Sequence, residues 1–211
     1  MTPKTFVETQ HEQMSLLHVA CFDQDLEFIR ELQKELPYFS EIVNDNSNSD
    51  GWTPLLWAAQ KCNLEIVQEL VAYGASVSKS KRDGISVLHM AASNNDIHLL
   101  DYIISLNDKN LDINIKNQDG WTAAHMAGWL DNFDSLNLLI ENGADISLKN
   151  NNNLSTYEEI IRADNQELLE CIYEDVKADQ KRRKLNEKGS FGVLHLAASS
   201  SGPKSLQFLL N

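Results

Sequence analysis

The sequence predicts an all-α solenoid of helix-turn-helix units carrying β-hairpin fingers, and three observations predict it. A short pattern, Ser or Thr followed by an apolar stretch with two small residues, recurs along the 211 residues at nearly constant spacing. Asp-Gly pairs precede three of the copies, and Gly-Ala pairs close two of the units. A period of 30 to 40 residues is the mark of a stacked repeat, in which each unit hides its apolar face against its neighbours.

The copies are Ser15 to Cys21, Thr53 to Ala59, Ser86 to Ala92, Thr122 to Gly128 and Gly192 to Ala198, with a weaker one at Ser155 to Ile161. They start 38, 33, 36, 33 and 37 residues apart. The pairs Asp50-Gly51, Asp83-Gly84 and Asp119-Gly120 supply the positive φ that a tight hairpin tip needs. The Ser or Thr that follows is placed to cap a first helix, whose Ala-Ala pair lets neighbouring units approach closely. A second, amphipathic helix comes next, as in Leu64 to Val71, with apolar residues three and four apart. Gly74-Ala75 and Gly143-Ala144 end it with a left-handed cap.

These residues resemble the ankyrin-repeat family, whose signature runs D-x-x-G-x-T-P-L-H-x-A-A and then a second helix ending in L-L-x-x-G-A-D. The likeness is strongest in repeats two to four. It departs at Leu56, which stands where the family has histidine, and in repeat five, which has Glu158 there and Asn153 for the finger glycine. About five to six repeats are expected: 12–47, 48–79, 80–116, 117–149, a degenerate 150–176 and an incomplete 189–211, with 177–188 as a basic connector. Repeat one lacks an Asp-Gly finger and has a longer second helix, Leu26 to Leu36, stopped by Pro37, as suits a capping unit. Repeat five is expected to be a weak point, because it has lost the finger glycine and crowds its carboxylates. The polar stretch Asn150 to Asn153 reads as compositional bias. The sixth copy lacks an exit turn, which raises the expectation of further chain beyond Asn211.

Composition and motifs exclude several classes of function. Nucleotide-binding glycine loops, G-x-S-x-G and H-E-x-x-H are absent, so neither catalysis nor a cofactor is expected. Cys21, Cys62 and Cys171 lie far apart without zinc-ligand spacing and read as free, mostly buried thiols. No apolar stretch is long enough for a membrane span, and a cytoplasmic, or alternatively nuclear, location is expected. A net charge of −13 speaks against a nucleic-acid ligand and for a protein partner with a basic or mixed-charge surface. The run Lys181 to Lys184 reads as a solvated connector, with an import signal as the alternative. Histidines at 18, 89, 125 and 195 recur once per repeat; the family resemblance implies that each hydrogen-bonds a neighbouring turn.

The resemblance also implies a concave palm made of fingers and first helices, where a partner protein would dock. On the fingers the apolar candidates are Trp52, Ile85 and Trp121. On the palm they are Phe22, Trp129 and Leu130, with Asp83, Asp119 and Asp131 as an acidic rim. The site is expected to centre on Trp121, Trp129 and Leu130. Two structural readings compete: Trp52 packing against the adjacent finger, and Trp129 folding down over a gap left by Gly128. Trp57, beside the Ala-Ala pair, is expected in the core. The function expected is that of an interaction scaffold or adaptor. The alternative is the targeting module of a larger multidomain protein, an enzyme or a bacterial effector.

Overall fold

The computed structural model describes residues 14–46 and 48–163, which hold four helix pairs and the first helix of a fifth. Repeat one contains α1 (Leu16–Asp23), α2 (Leu26–Glu35) and a short α3 (Phe39–Ile42). Repeats two, three and four contain α4 (Pro54–Gln60) with α5 (Leu64–Ala72), α6 (Val87–Ser93) with α7 (Ile97–Ser105), and α8 (Ala123–Trp129) with α9 (Phe133–Glu141). Helix α10 (Thr156–Arg162) opens repeat five. His195, Cys171, the connector, the basic run and the sixth copy lie outside the described residues.

Most of the helices begin where the sequence supplies a cap. The Thr53 hydroxyl accepts the Leu56 N–H at 3.2 Å, and Pro54 fills the first helical position, where its missing N–H costs nothing. Asp25, Asn63 and Asp96 accept the N–H of Phe28, Ile66 and Leu99 at the starts of α2, α5 and α7. Helix α2 stops at Glu35 because Leu36, preceding Pro37, is held in the extended region. Between the helices of each pair sits one non-glycine residue in the left-handed region: Gln24, Cys62, Asn95 and Asp131.

The first helices pack in file, α1 on α4, α4 on α6, α6 on α8 and α8 on α10. They come close because Ala58, Ala59, Ala91, Ala92, Ala123 and Ala127 are all buried at the contacts. The second helices cover one side through residues such as Ile66 and Leu70, Leu99 and Ile103, and Leu136 and Leu139. Their three- and four-residue spacing turns one stripe inward.

The fingers are tight turns rather than regular hairpins, since the described residues show one isolated antiparallel bridge, Ser80 to Ser86. Successive fingers are joined through the backbone. The carbonyls of Asp50, Asp83 and Asp119 accept the N–H of Arg82, Gln118 and Asn151 at 3.0, 2.8 and 2.9 Å. This joint explains the glycine that follows each aspartate. A Cβ on Gly84 would lie 2.8 Å from Cα of Asn117, and one on Gly120 would lie 2.8 Å from N of Asn151. Both residues also have positive φ, so shape and conformation demand the same residue.

Repeat five keeps this finger despite losing the glycine. Asn153 takes the left-handed conformation at φ 61°, and its N–H reaches the Asn150 carbonyl at 2.9 Å, as Gly120 does to Asn117. Its described carboxylates are partnered as well. Glu158, in the histidine position, accepts the Ser155 N–H and hydroxyl and pairs with Lys149. Burial alone would raise the Glu158 carboxyl, but Lys149 and Ser155 together bring it below the ordinary value. Glu159 is fully buried; its Oε1 accepts from Asn150 at 2.8 Å, while its Oε2 has no hydrogen-bond partner and only faces Arg162 at 3.8 Å. The expected loss of the turn and like-charge crowding are therefore not found in this part of repeat five.

Asparagine has a fixed task here, which compositional bias does not explain. Asn48, Asn117 and Asn150 stand five residues before the capping Thr or Ser, and their Oδ1 atoms accept the N–H of Trp52, Trp121 and Leu154 at 2.8, 2.9 and 3.0 Å. Buried Asn150 also holds Glu159. Asn150→Ala should therefore cost roughly 2–4 kcal/mol, since it orphans a buried carboxylate and two N–H groups. Urea unfolding followed by tryptophan fluorescence would read this, with exposed Asn152→Ala expected to stay within about 0.5 kcal/mol of the parent.

Candidate functional site

The side chain that follows each finger glycine is aimed by its own backbone. Trp52 gives its N–H to Asn48, and its carbonyl takes the Nε2–H of His18 at 2.9 Å. Trp121 gives its N–H to Asn117, and its carbonyl takes the Nε2–H of His89 at 3.0 Å. His125 makes the equivalent bond to Leu154 at 3.1 Å. In each ring Nδ1 accepts the N–H of the residue that precedes the helix, so the tautomer with hydrogen on Nε2 is required. The histidines thus tie one repeat to the next finger. Ile85 follows the repeat with Leu56 in the histidine place, and Lys81 stands where the other fingers have asparagine, so the Ile85 N–H goes to Asp83 Oδ1 at 3.1 Å.

Two aromatic clusters result. In the first, Trp52 stacks on Trp57 with centroids 4.1 Å apart and planes 16° from parallel, while Phe22 meets Trp57 edge-on at 5.1 Å. The Lys61 ammonium sits 3.9 Å from the Phe22 centroid and Lys81 sits 4.5 Å from that of Trp52. Trp57 is half-buried against the core rather than within it, stacked on Trp52 of its own finger. Phe22 and Trp52, named separately from the sequence, are joined only through it.

The second cluster brings together Trp121 and Trp129, edge to face at 6.0 Å and 81°. Arg162 lies 5.9 Å over Trp129 from the next repeat. Trp129 and its neighbour Leu130 remain 44% and 48% exposed. The space beside Gly128 is filled from repeat five: a Cβ there would lie 3.0 Å from Ile160 and 3.1 Å from Thr156. Trp129 therefore has no gap to close. Ile85 is half-buried and packs against the core on the finger of the repeat between the clusters.

The acidic candidates differ in how far they are engaged. Asp83 is bound on both oxygens, to Ile85 N–H and at 3.0 Å to Lys81, whereas Asp119 is exposed at its finger tip. Of the described cysteines Cys21 is buried, which pushes its thiol far up, while Cys62 is exposed in its left-handed turn, contrary to the expected burial. Among the described residues no group of three or more His, Cys, Asp or Glu could hold a metal ion, and no helix is long and apolar enough to cross a membrane.

The model of the ankyrin-repeat family, in its three-copy form, matches residues 3–81 and 74–150. The chain belongs to the ankyrin-repeat family. Among curated relatives it is 27% identical over 168 residues to the nuclear factor NF-kappa-B p105 subunit of Gallus gallus, covering 78% of this chain and 17% of that one. It is 26% identical to alpha-latrotoxin-Lg1a of Latrodectus geometricus, over 74% of this chain and 11% of the toxin. It is 30% identical to palmitoyltransferase AKR1 of Lachancea kluyveri, over 62% and 17%. The chain thus spans less than a fifth of each. Ankyrin repeats generally mediate protein–protein interaction and are typically not catalytic themselves; the palmitoyltransferase shows them within a larger enzyme.

The ankyrin histidines make stability depend on pH. Burial, above all, holds His18, His89 and His125 below the ordinary histidine value, outweighing the carbonyl bonds that pull the other way. The unfolded rings take up protons near pH 6.5, the folded ones only at lower pH, so the unfolded state binds more protons in between. Unfolding free energy should fall as pH drops from about 7 to about 5, by at most about 1.4 kcal/mol per pH unit for each ring. Chemical unfolding across that range would check it, and His89→Ala should flatten the slope while lowering stability at pH 7.

Proposed function

We propose that the repeats act as a scaffold or adaptor that holds a partner protein on the concave face, anchored in the second aromatic cluster. The observation that carries this is the exposure of Trp129 and Leu130 beside Trp121. Large apolar side chains left in water, backed by a ring and edged by a charge, are what an interface anchor requires. Phe22, Trp57 and Trp52 extend the contact surface towards repeat one.

The charges bordering the two clusters, Lys61, Lys81 and Arg162 beside Asp83 and Asp119, favour a partner of mixed charge. The net charge of −13 supports a protein over a nucleic acid as that partner. A cytoplasmic site of action belongs to the same reading and draws support from the free thiols Cys21 and Cys62. A second reading, that these repeats form the recognition part of a larger protein, is favoured by the small share of each relative that the chain spans.

Trp129→Ala should weaken binding by at least about 2 kcal/mol, about thirtyfold in Kd, while unfolding free energy changes by less than about 1 kcal/mol. Peptides selected by display against the parent chain, titrated into both proteins by calorimetry, would read the first quantity and urea unfolding the second. A variant that melts early but binds normally would overturn the anchor.

A further inference from the structure

The large apolar side chains exposed among the described residues are Ile97, Trp129, Leu130 and Phe133. Two of them lie off the palm. Ile97 and Phe133 are the first residues of α7 and α9, at equivalent positions in adjacent repeats, and are 37% and 39% exposed. Leu130 sits in the same turn as Phe133, between the end of α8 and the start of α9.

That edge is rigidly built. Asn132 Nδ2 donates to the carbonyls of Ala92 and Ser93 at 2.8 and 2.9 Å, and Asn95 Oδ1 accepts both the N–H and the hydroxyl of Ser135, at 3.2 and 2.8 Å. Four bonds therefore join one turn to the next, and the apolar residues they carry need no ordering before a partner arrives.

The charge on its own helices has one sign, with Arg162 of repeat five, over Trp129, as a cation nearby. The sequence has no Lys or Arg from Gly84 to Asp108 or from Asn117 to Leu148, so α6 to α9 carry none. Carboxylates flank the apolar positions directly: Asp96 and Asp101 next to and one turn from Ile97, and Asp131 and Asp134 around Phe133. Helices packed side by side stand about 10 Å apart. Residues seven apart along one helix face are also separated by about 10 Å.

We infer that this edge is a second contact surface, and that it takes a basic amphipathic helix of a partner protein, with apolar residues on Ile97, Leu130 and Phe133 and Lys or Arg meeting the aspartates. The inference rests on the protein-binding reading and shares Leu130 with its palm anchor, but Ile97 and Phe133, which its variants change, lie outside that anchor.

The test uses a 14-residue lysine–leucine amphipathic helical peptide and a glutamate–leucine peptide of the same pattern, titrated into the full 211-residue chain and followed by amide chemical shifts. The basic peptide should shift residues 95–98 and 130–135 first, and the acidic one should leave them in place. Replacing both exposed residues, Ile97→Ser with Phe133→Ser, should weaken binding at least about tenfold, and Asp134→Lys should weaken it in the same direction. The inference is overturned if the shifts gather instead on α2, where exposed Glu27, Glu31 and Glu35 stand four residues apart, if both peptides bind alike, or if the variants bind as the parent does. None of those results touches the palm, which depends on Trp129.

Discussion

The backbone hydrogen bond from the aspartate carbonyl of one finger to the N–H of the next is the constraint on which the rest of this structure depends. It requires the two chains to meet at a separation that leaves no room for a Cβ on the following residue, which is why glycine stands at 84 and 120. Once the fingers are fixed side by side, the caps that follow them are in register. The first helices are then delivered to one another with small residues such as Ala58, Ala91 and Gly128 at the contacts. Helices of seven or eight residues would not persist alone in water. Their stability comes from this lateral register rather than from propensity.

Histidine adds a second joint, and the aromatic surface follows from it. His18 and His89 each hold the carbonyl of a tryptophan on the next finger, so a buried structural bond determines where a surface side chain begins. Where the histidine is replaced by Leu56, the next finger carries Ile85, which settles half-buried against the core instead of joining a ring cluster. The buried link and the exposed anchor are two ends of the same residue, and coupling of this kind joins only neighbouring repeats.

The sequence showed the repeat and most of its joints because they rest on residues with narrow conformational uses: Asp-Gly at the finger, Ser or Thr at the cap, His three residues on. It also named Trp121 and Trp129, whose rings the structure sets edge to face. It concealed whatever depends on a neighbour one period away. Asn150 looked like compositional bias, although the distance of five residues from the cap that it shares with Asn48 and Asn117 was a usable signal. Asn153 looked like a lost glycine, yet asparagine is the other residue that tolerates the left-handed region. Trp57 looked like core because its surroundings in the chain are apolar; only the stacked ring of Trp52 reveals that it faces the palm. The space beside Gly128 could not be assigned without seeing Ile160 enter it from the next repeat.

The left-handed turns between paired helices bear on how such a surface can change over time. Asn95 and Asp131 are at ease there, and Asn95 uses its side chain to hold Ser135, but Gln24 and Cys62 adopt the same conformation at a cost of order 1 kcal/mol each. Neither is one of the palm's aromatic anchors. The stack therefore carries unspent stability away from its recognition residues. A lineage that replaced either by glycine would gain tolerance for otherwise destabilising substitutions on the palm, and with it room to acquire a new partner without losing the fold.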